Sequence, residues 1–188
     1  MQEITYVTGS KLKFGIAQKA LEGFGIKLVQ QKLDTPEIQS DDVGEIASYS
    51  AKWASEKLNK SVIVTDAGYY IEALKGFPGP FIKYINQWLT SADILKLMSG
   101  QENRNVEVKV CLVYCEPGKE PVTFFAVSKG TIALTAGEKG VMPIDEVFIP
   151  EGYDKPESEI EWEERSKFWS KEQSWPKLAE YLNNNPKK

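Results

Sequence analysis

The stretch Val62-Ile63-Val64-Thr65-Asp66-Ala67-Gly68, followed by Ala73-Leu74-Lys75-Gly76-Phe77-Pro78-Gly79-Pro80-Phe81-Ile82-Lys83, constrains the fold more than any other part of the chain. A short, β-branched apolar run reads as a buried strand, and it ends on a carboxylate and a glycine. A Gly/Pro loop that closes on a lysine follows. A carboxylate at a strand end can hold a hard cation. A rigid Gly/Pro loop exposes backbone N–H groups, and a lysine adds a point charge for phosphate. Cation, amides and lysine together are what phosphoanhydride cleavage requires. Taken alone, the same stretch serves equally as strand, turn and loop in an ordinary α/β domain.

The residue inventory narrows the chemistry. The 188 residues contain no histidine, which excludes Ser-His-Asp and Cys-His nucleophilic chemistry and a histidine general base. Carboxylates, lysines and a carboxylate-bound metal are left. Cys111 and Cys115 lie four apart in an apolar run. In a strand their Cα atoms would be roughly 13 Å apart, too far for a disulfide. Two thiols without a further ligand make a poor zinc site, so buried small residues are the better reading. The net charge of −4 disfavours nucleic acid and anionic membranes as partners, though a local lysine cluster can still bind phosphate. No apolar run approaches a membrane span, and Met1 to Val7 has no basic or long apolar leader, so a cytoplasmic location is expected.

The periodicity predicts strands over 3–8, 26–33, 61–65, 106–116 and 122–134, with a short extended piece over 148–152. It predicts helices over 13–24, 43–58, 82–89, 92–99, 159–174 and 175–182. The two long strands, joined through 116–121, should form an antiparallel hairpin. The result is an α/β chain with a mixed sheet and no internal repeat, expected to be a single domain over 1–188.

Several positions carry candidate chemistry. Thr8-Gly9-Ser10-Lys11-Leu12-Lys13 joins a strand to a helix N-terminus, the general arrangement for an anion, but it lacks the spacing of a P-loop and serves equally as a plain turn. Glu37 and Asp66 follow neighbouring strands and can share Mg²⁺, or each can simply cap a helix or turn. Asp145 either faces a cleft or closes a turn. The acids between Glu157 and Arg165 read as a solvated helix face, and Trp162, Trp169 and Trp175 as core or interface anchors.

Together the segments at 7–10, 62–68, 72–80 and 148–153 resemble the inosine triphosphate pyrophosphatase family, in order and over nearly the whole chain. The resemblance implies an elongated mixed sheet flanked by helices, two lobes around a central cleft, and a homodimer. Phe81 to Leu89, with Tyr84 and Trp88, is a candidate for the dimer surface. It also implies hydrolysis of a nucleoside triphosphate to monophosphate and pyrophosphate with Mg²⁺, or alternatively Mn²⁺. Carried over by position, Thr8, Gly9, Ser10, Lys13 and Phe81 bind the nucleotide. Glu37 and Asp66 hold the metal, Asp66 activates the water, and Lys83 joins Lys13 on the phosphates. Thr65 stands where many relatives have a second acid, and Ser10 where they have asparagine. The base-reading half departs more. Relatives carry Phe-Gly-(Phe/Trp/Tyr)-Asp-Pro where this chain has Met142-Pro143-Ile144-Asp145-Glu146, so Asp145 is kept and Ile144 replaces the ring. Their Ser-His-Arg triplet, opening the last helix, becomes Trp169-Ser170-Lys171, and the preceding cation is Arg165. Lysine does not reproduce a guanidinium fork, so base choice is expected to be altered or relaxed. The rival expectation is a catalytically silent nucleotide-binding protein on the same fold.

Overall fold

A computed structural model describes residues 2–170 and 174–185. Six α-helices accompany a mixed β-sheet. The elements are β1 (Gln2–Val7), α1 (Lys11–Ala20), β2 (Ile26–Gln31), α2 (Val43–Leu58), β3 (Val62–Ile71), β4 (Pro78–Gly79), α3 (Ile82–Trp88), α4 (Ser91–Leu97), β5 (Asn105–Cys115), β6 (Val122–Ile132), β7 (Phe148–Pro150), α5 (Trp162–Ser170) and α6 (Ser174–Asn184). The strand order is β2-β1-β3-β5-β6-β7, with β4 beside β3. β1 is parallel to β2 and to β3, whereas β4 is antiparallel to β3 and β7 to β6. Only residues 116–121 separate the neighbours β5 and β6. So short a link joins antiparallel strands, since a parallel return needs a crossover of about a dozen residues or more. The expected hairpin is therefore present.

The chain divides into two compact units. The first comprises residues 1–66, 110–126 and 166–188, and the second 67–109 and 127–165. β3, β5 and β6 each contribute residues to both.

In the first unit the parallel strands are covered on both faces, which is why they read as nearly continuous apolar runs. Ile4, Tyr6 and Ile63 point to one side and pack with Ala17 and Leu21 of α1 and with Trp175, Leu178 and Leu182 of α6. Tyr6 meets Trp175 edge-on, with ring centroids 5.6 Å apart. Val7, Val62 and Val64 point to the other side, against Val43, Ala47, Ala51 and Ala54 of α2. The small residues of that helix let it lie close to the sheet. Asp42 caps its start, accepting hydrogen bonds from Gly44 and Glu45 N–H, and Asn59 ends it in the left-handed conformation. Both cysteines are buried in β5 and neither is in a disulfide.

The second unit buries Tyr69, Ile71, Val106, Val108, Ile132, Val147 and Phe148, together with Ile85 of α3 and Ile94 and Met98 around α4. The Arg104 guanidinium donates to the carbonyls of Ile132 (2.6 Å) and Ala133 (2.5 Å), holding β6 where it ends.

Three expectations change. β3 does not stop at Thr65 but continues to Ile71, so Asp66 and Gly68 are strand residues rather than a turn. Glycine is required at 68 because β4 crosses there: a Cβ would lie 2.9 Å from the Gly79 carbonyl carbon. Four amides of the Gly/Pro loop are turned inward rather than presented to a ligand. The N–H groups of Lys75, Gly76, Phe77 and Phe81 donate to Glu72, Ile71, Leu74 and Pro78 carbonyls within the segment. Finally, the helix expected to start at 159 begins at Trp162, preceded by a short 3-10 turn at Glu157–Glu159, and its expected end lies beyond the undescribed residues 171–173.

Candidate functional site

The first unit gathers Thr8, Gly9, Ser10, Lys13, Glu37 and Asp66. β1 lies between β2 and β3, and the chain leaves it through α1 to reach β2 and returns through α2 to β3. The C-terminal end of β1 is thus where the strand order reverses, the crevice at which open α/β sheets bind ligands. β1 and β2 end level, with Val7 opposite Gln31, and Thr8 N–H donates to Gln31 O (3.0 Å). The turn that follows is internally braced. Ser10 N–H donates to Thr8 Oγ1 (3.1 Å), and Gln30 Nε2 donates to Thr8 O (3.1 Å). Ser10 Oγ accepts from Lys13 N–H (3.2 Å) and so caps α1.

That cap leaves the N–H groups of Lys11 and Leu12 without an acceptor among the described residues. The first turn of α1 carries no acid but does carry Lys11 and Lys13. The positive end of the helix dipole and two cations therefore coincide, an arrangement that disfavours an empty helix end and suits an incoming anion.

Asp66 is half-buried on β3. Successive strand side chains alternate, and Val62 and Val64 face α2, so Asp66 faces the α2 side as well. Glu37 is exposed in the loop leading into α2, and that loop is anchored where Ser50 Oγ of α2 donates to Pro36 O (3.2 Å). Thr65, on the opposite side, shares a 2.6 Å hydrogen bond with the Tyr6 hydroxyl. Position 65 thus carries one member of a hydroxyl pair and no carboxylate.

No group of three or more His, Cys, Asp or Glu residues is placed to hold a metal among the described residues. Two hard carboxylates without a soft ligand fit Mg²⁺, which takes one or two protein carboxylates and completes its shell with water and substrate phosphate.

The second unit holds Phe81, Lys83, Asp145 and Arg165. Phe81 is exposed at the start of α3, and Lys83 Nζ lies 5.9 Å from the Tyr84 ring centroid. Asp145 is 2% exposed in the 3-10 turn Pro143–Glu146, where its Oδ2 accepts from Met142 N–H (3.3 Å). Burial raises its pKa, although Arg165 works in the opposite direction. Arg165 Nε lies 3.4 Å from Glu157 Oε1, and both side chains are largely buried. Burial, and then the charges of Glu157 and Asp145, also raise the pKa of the Tyr69 hydroxyl well above its ordinary value. Ile144 is 1% exposed, with its N–H donating to Asn86 Oδ1 (3.2 Å), so it offers no open face to a base.

Ser170 lies in α5, next to the undescribed residues 171–173, and its hydroxyl donates to Lys167 O (3.2 Å). Lys171 lies outside the described residues. Glu157 is not part of a solvated face. It is 4% exposed and paired with Arg165, whereas Glu161, Glu163 and Glu164 are exposed as expected. Glu157 carries no local signal in the sequence, because its partner lies eight positions away, outside the spacing that marks a helical ion pair. Lys32 carries none either, and its side-chain stem lies against Gly9.

The sequence model of the Ham1 family matches residues 4–181. A dITP/XTP pyrophosphatase from Methanopyrus kandleri is 41% identical over 184 residues, covering 97% of each chain. One from Thermococcus kodakarensis is 33% identical over 184 residues, covering 98% of this chain and 99% of its own. Among solved structures, a HAM1 protein from Coxiella burnetii superimposes with a TM-score of 0.81 at 21% identity, over 98% of this chain and 100% of its own.

Proposed function

The chain belongs to the Ham1 family, and we propose that it hydrolyses a nucleoside triphosphate to the monophosphate and pyrophosphate, as a cytoplasmic house-cleaning enzyme with altered or relaxed base choice. The observation that carries this reading is the end of β1. Two amides without acceptors, a helix dipole, Lys11 and Lys13 meet there, at the same sheet edge as Glu37 and Asp66. The phosphate chain would bind at the Thr8–Ser10 turn, with Lys13 offsetting its charge. Glu37 and Asp66 would hold Mg²⁺ or Mn²⁺, which supplies Lewis-acid polarisation of phosphate oxygens. Asp66 would orient the attacking water and accept its proton as the α–β phosphoanhydride bond breaks and pyrophosphate leaves.

The names of the relatives point to inosine and xanthosine nucleotides for those proteins. Here the base-reading positions differ. Ile144 is buried, Ser170 is bonded to its own helix, and Arg165 is engaged by Glu157. Where polar pairing is lost, discrimination that depends on it falls. A pyrophosphate-release screen over the common and deaminated nucleoside triphosphates, with Mg²⁺ and with Mn²⁺, should show release with an inosine-to-adenosine triphosphate ratio in kcat/KM below about a hundredfold. A ratio at or above that would mean that other residues rebuild the purine pocket. No release from any nucleotide, with binding retained, would favour a silent nucleotide-binding protein, the reading that the Tyr6–Thr65 hydroxyl pair supports.

The two units would act as lobes of one domain, and the chain as a homodimer. The exposed rings of Phe81, Tyr84 and Trp88 at and along α3 are the candidate surface. Light scattering at micromolar concentration should give twice the chain mass, and a monomer would remove this part of the proposal.

A further inference from the structure

We infer that Lys32 is a further phosphate-contacting residue of the proposed site, and that position 9 is kept free of a side chain for the bound phosphate rather than for the fold. The inference rests on the phosphate reading of the Thr8–Ser10 turn but adds to it a residue that neither motif nor spacing marks.

Gly9 does not use the conformational freedom of glycine. Its backbone is not among the left-handed positions of the chain. The nearest atoms a Cβ there would meet are those of the Lys32 stem, at 3.6, 3.7 and 3.8 Å from Cγ, Cδ and Cε, which is ordinary van der Waals contact. Gly68 is the contrast, since there the Gly79 backbone excludes a Cβ. Neither conformation nor packing asks for glycine at 9. A glycine at an exposed strand-to-helix turn, beside amides with no acceptor, leaves room for a ligand to approach the backbone closely.

Lys32 forms one wall of that space. It follows Gln31, the last residue of β2, which lies opposite Val7 at the end of β1. Its stem therefore leaves the sheet at the same edge as the Thr8–Ser10 turn and runs along Gly9, with the ammonium one bond beyond Cε. Lys32 has no hydrogen bond or ion pair among the described residues. The ammonium groups of Lys11 and Lys13 in the first turn of α1 likewise have no partner among the described residues. Three uncompensated ammonium groups around one helix start, in a chain of net charge −4, match a polyphosphate in sign and density. The methylene stem, held against the turn, also limits how far the charge can wander.

The test uses the full chain with inorganic tripolyphosphate as the probe, read by calorimetry, together with pyrophosphate release. Lys32→Met keeps the stem and removes the charge. It should weaken tripolyphosphate binding and raise KM by roughly tenfold, with kcat changed less and the urea midpoint unmoved. Lys32→Arg should recover most of the loss. Gly9→Ala should leave the midpoint unchanged or slightly higher, because alanine restricts the unfolded chain, yet weaken tripolyphosphate by roughly tenfold or more. Binding within twofold of the parent in Lys32→Met would overturn the role of Lys32, and a lowered midpoint in Gly9→Ala would overturn that of Gly9. Because binding is read without turnover, a parent that binds tripolyphosphate but hydrolyses nothing would refute the hydrolase reading while leaving this inference standing.

Discussion

Asp66→Asn is expected to lower the rate of pyrophosphate release by roughly 10²–10⁴-fold, the usual contribution of a positioned acid–base group. The loss should fall on kcat, because the phosphate contacts at the Thr8–Ser10 turn and Lys13 are untouched and substrate still binds. Asparagine keeps the size of the side chain and one acceptor oxygen, so β3 should hold its place between β1 and β5 and the urea midpoint should move little. The structure gives this residue no substitute on its own strand. Thr65 faces the other side of the sheet and is bonded to the Tyr6 hydroxyl, so it cannot take over a carboxylate's work. Steady-state pyrophosphate release by parent and variant, each titrated with Mg²⁺, checks the claim. A variant as active as the parent would remove Asp66 from the water-activating role.

What was legible in the sequence depended on how local the cause was. The strand–turn–helix at Val7 to Lys13 was readable because apolar alternation, the glycine turn at Gly9 and the helical repeat of Phe14, Ala17 and Leu21 all sit within one window, whereas the Ser10 cap that starts α1 at Lys11 was not read. The long hairpin of β5 and β6 was readable for the same reason. The end of β3 was not. Gly68 carries the composition of a turn, and only the passage of β4 across it, ten residues later in the chain, explains a glycine inside a strand. The Gly/Pro loop had the composition of an amide cradle, but four of its amides are satisfied by carbonyls three to five residues away, a pattern that turn residues do not announce. At the candidate site, Thr8, Gly9, Ser10 and Lys13 were singled out because they directly follow the end of β1, and Asp66 because it follows an apolar run. Lys32 and Glu157 were missed because what defines them is a neighbour distant in sequence, Gly9 in one case and Arg165 in the other.

The buried charges of the second unit carry the other large effect. Arg165→Met should destabilise the protein by about 3–5 kcal/mol, the cost of leaving buried carboxylate charge without its cation. Glu157 and Arg165 are each largely withdrawn from water, so solvent screening does little to soften the loss. The double variant Glu157→Gln/Arg165→Met should be much closer to the parent than Arg165→Met, because neutral groups of similar volume remove the charge from both sides. Asp145 should behave in the opposite sense. Burial raises its folded-state pKa, so the folded chain holds this proton to higher pH than the unfolded chain does. Stability from this group is therefore fully present below the ordinary carboxylate range and is lost as pH rises through the raised value. Asp145→Asn keeps an acceptor for Met142 N–H and removes the charge, so it should stabilise the protein at neutral pH and give no gain in acid. Urea unfolding of the four chains at neutral and acid pH reads all of this at once. A loss below about 1 kcal/mol in Arg165→Met, the range of an exposed pair, would mean that water reaches the guanidinium and the Glu157 contact is not a buried one.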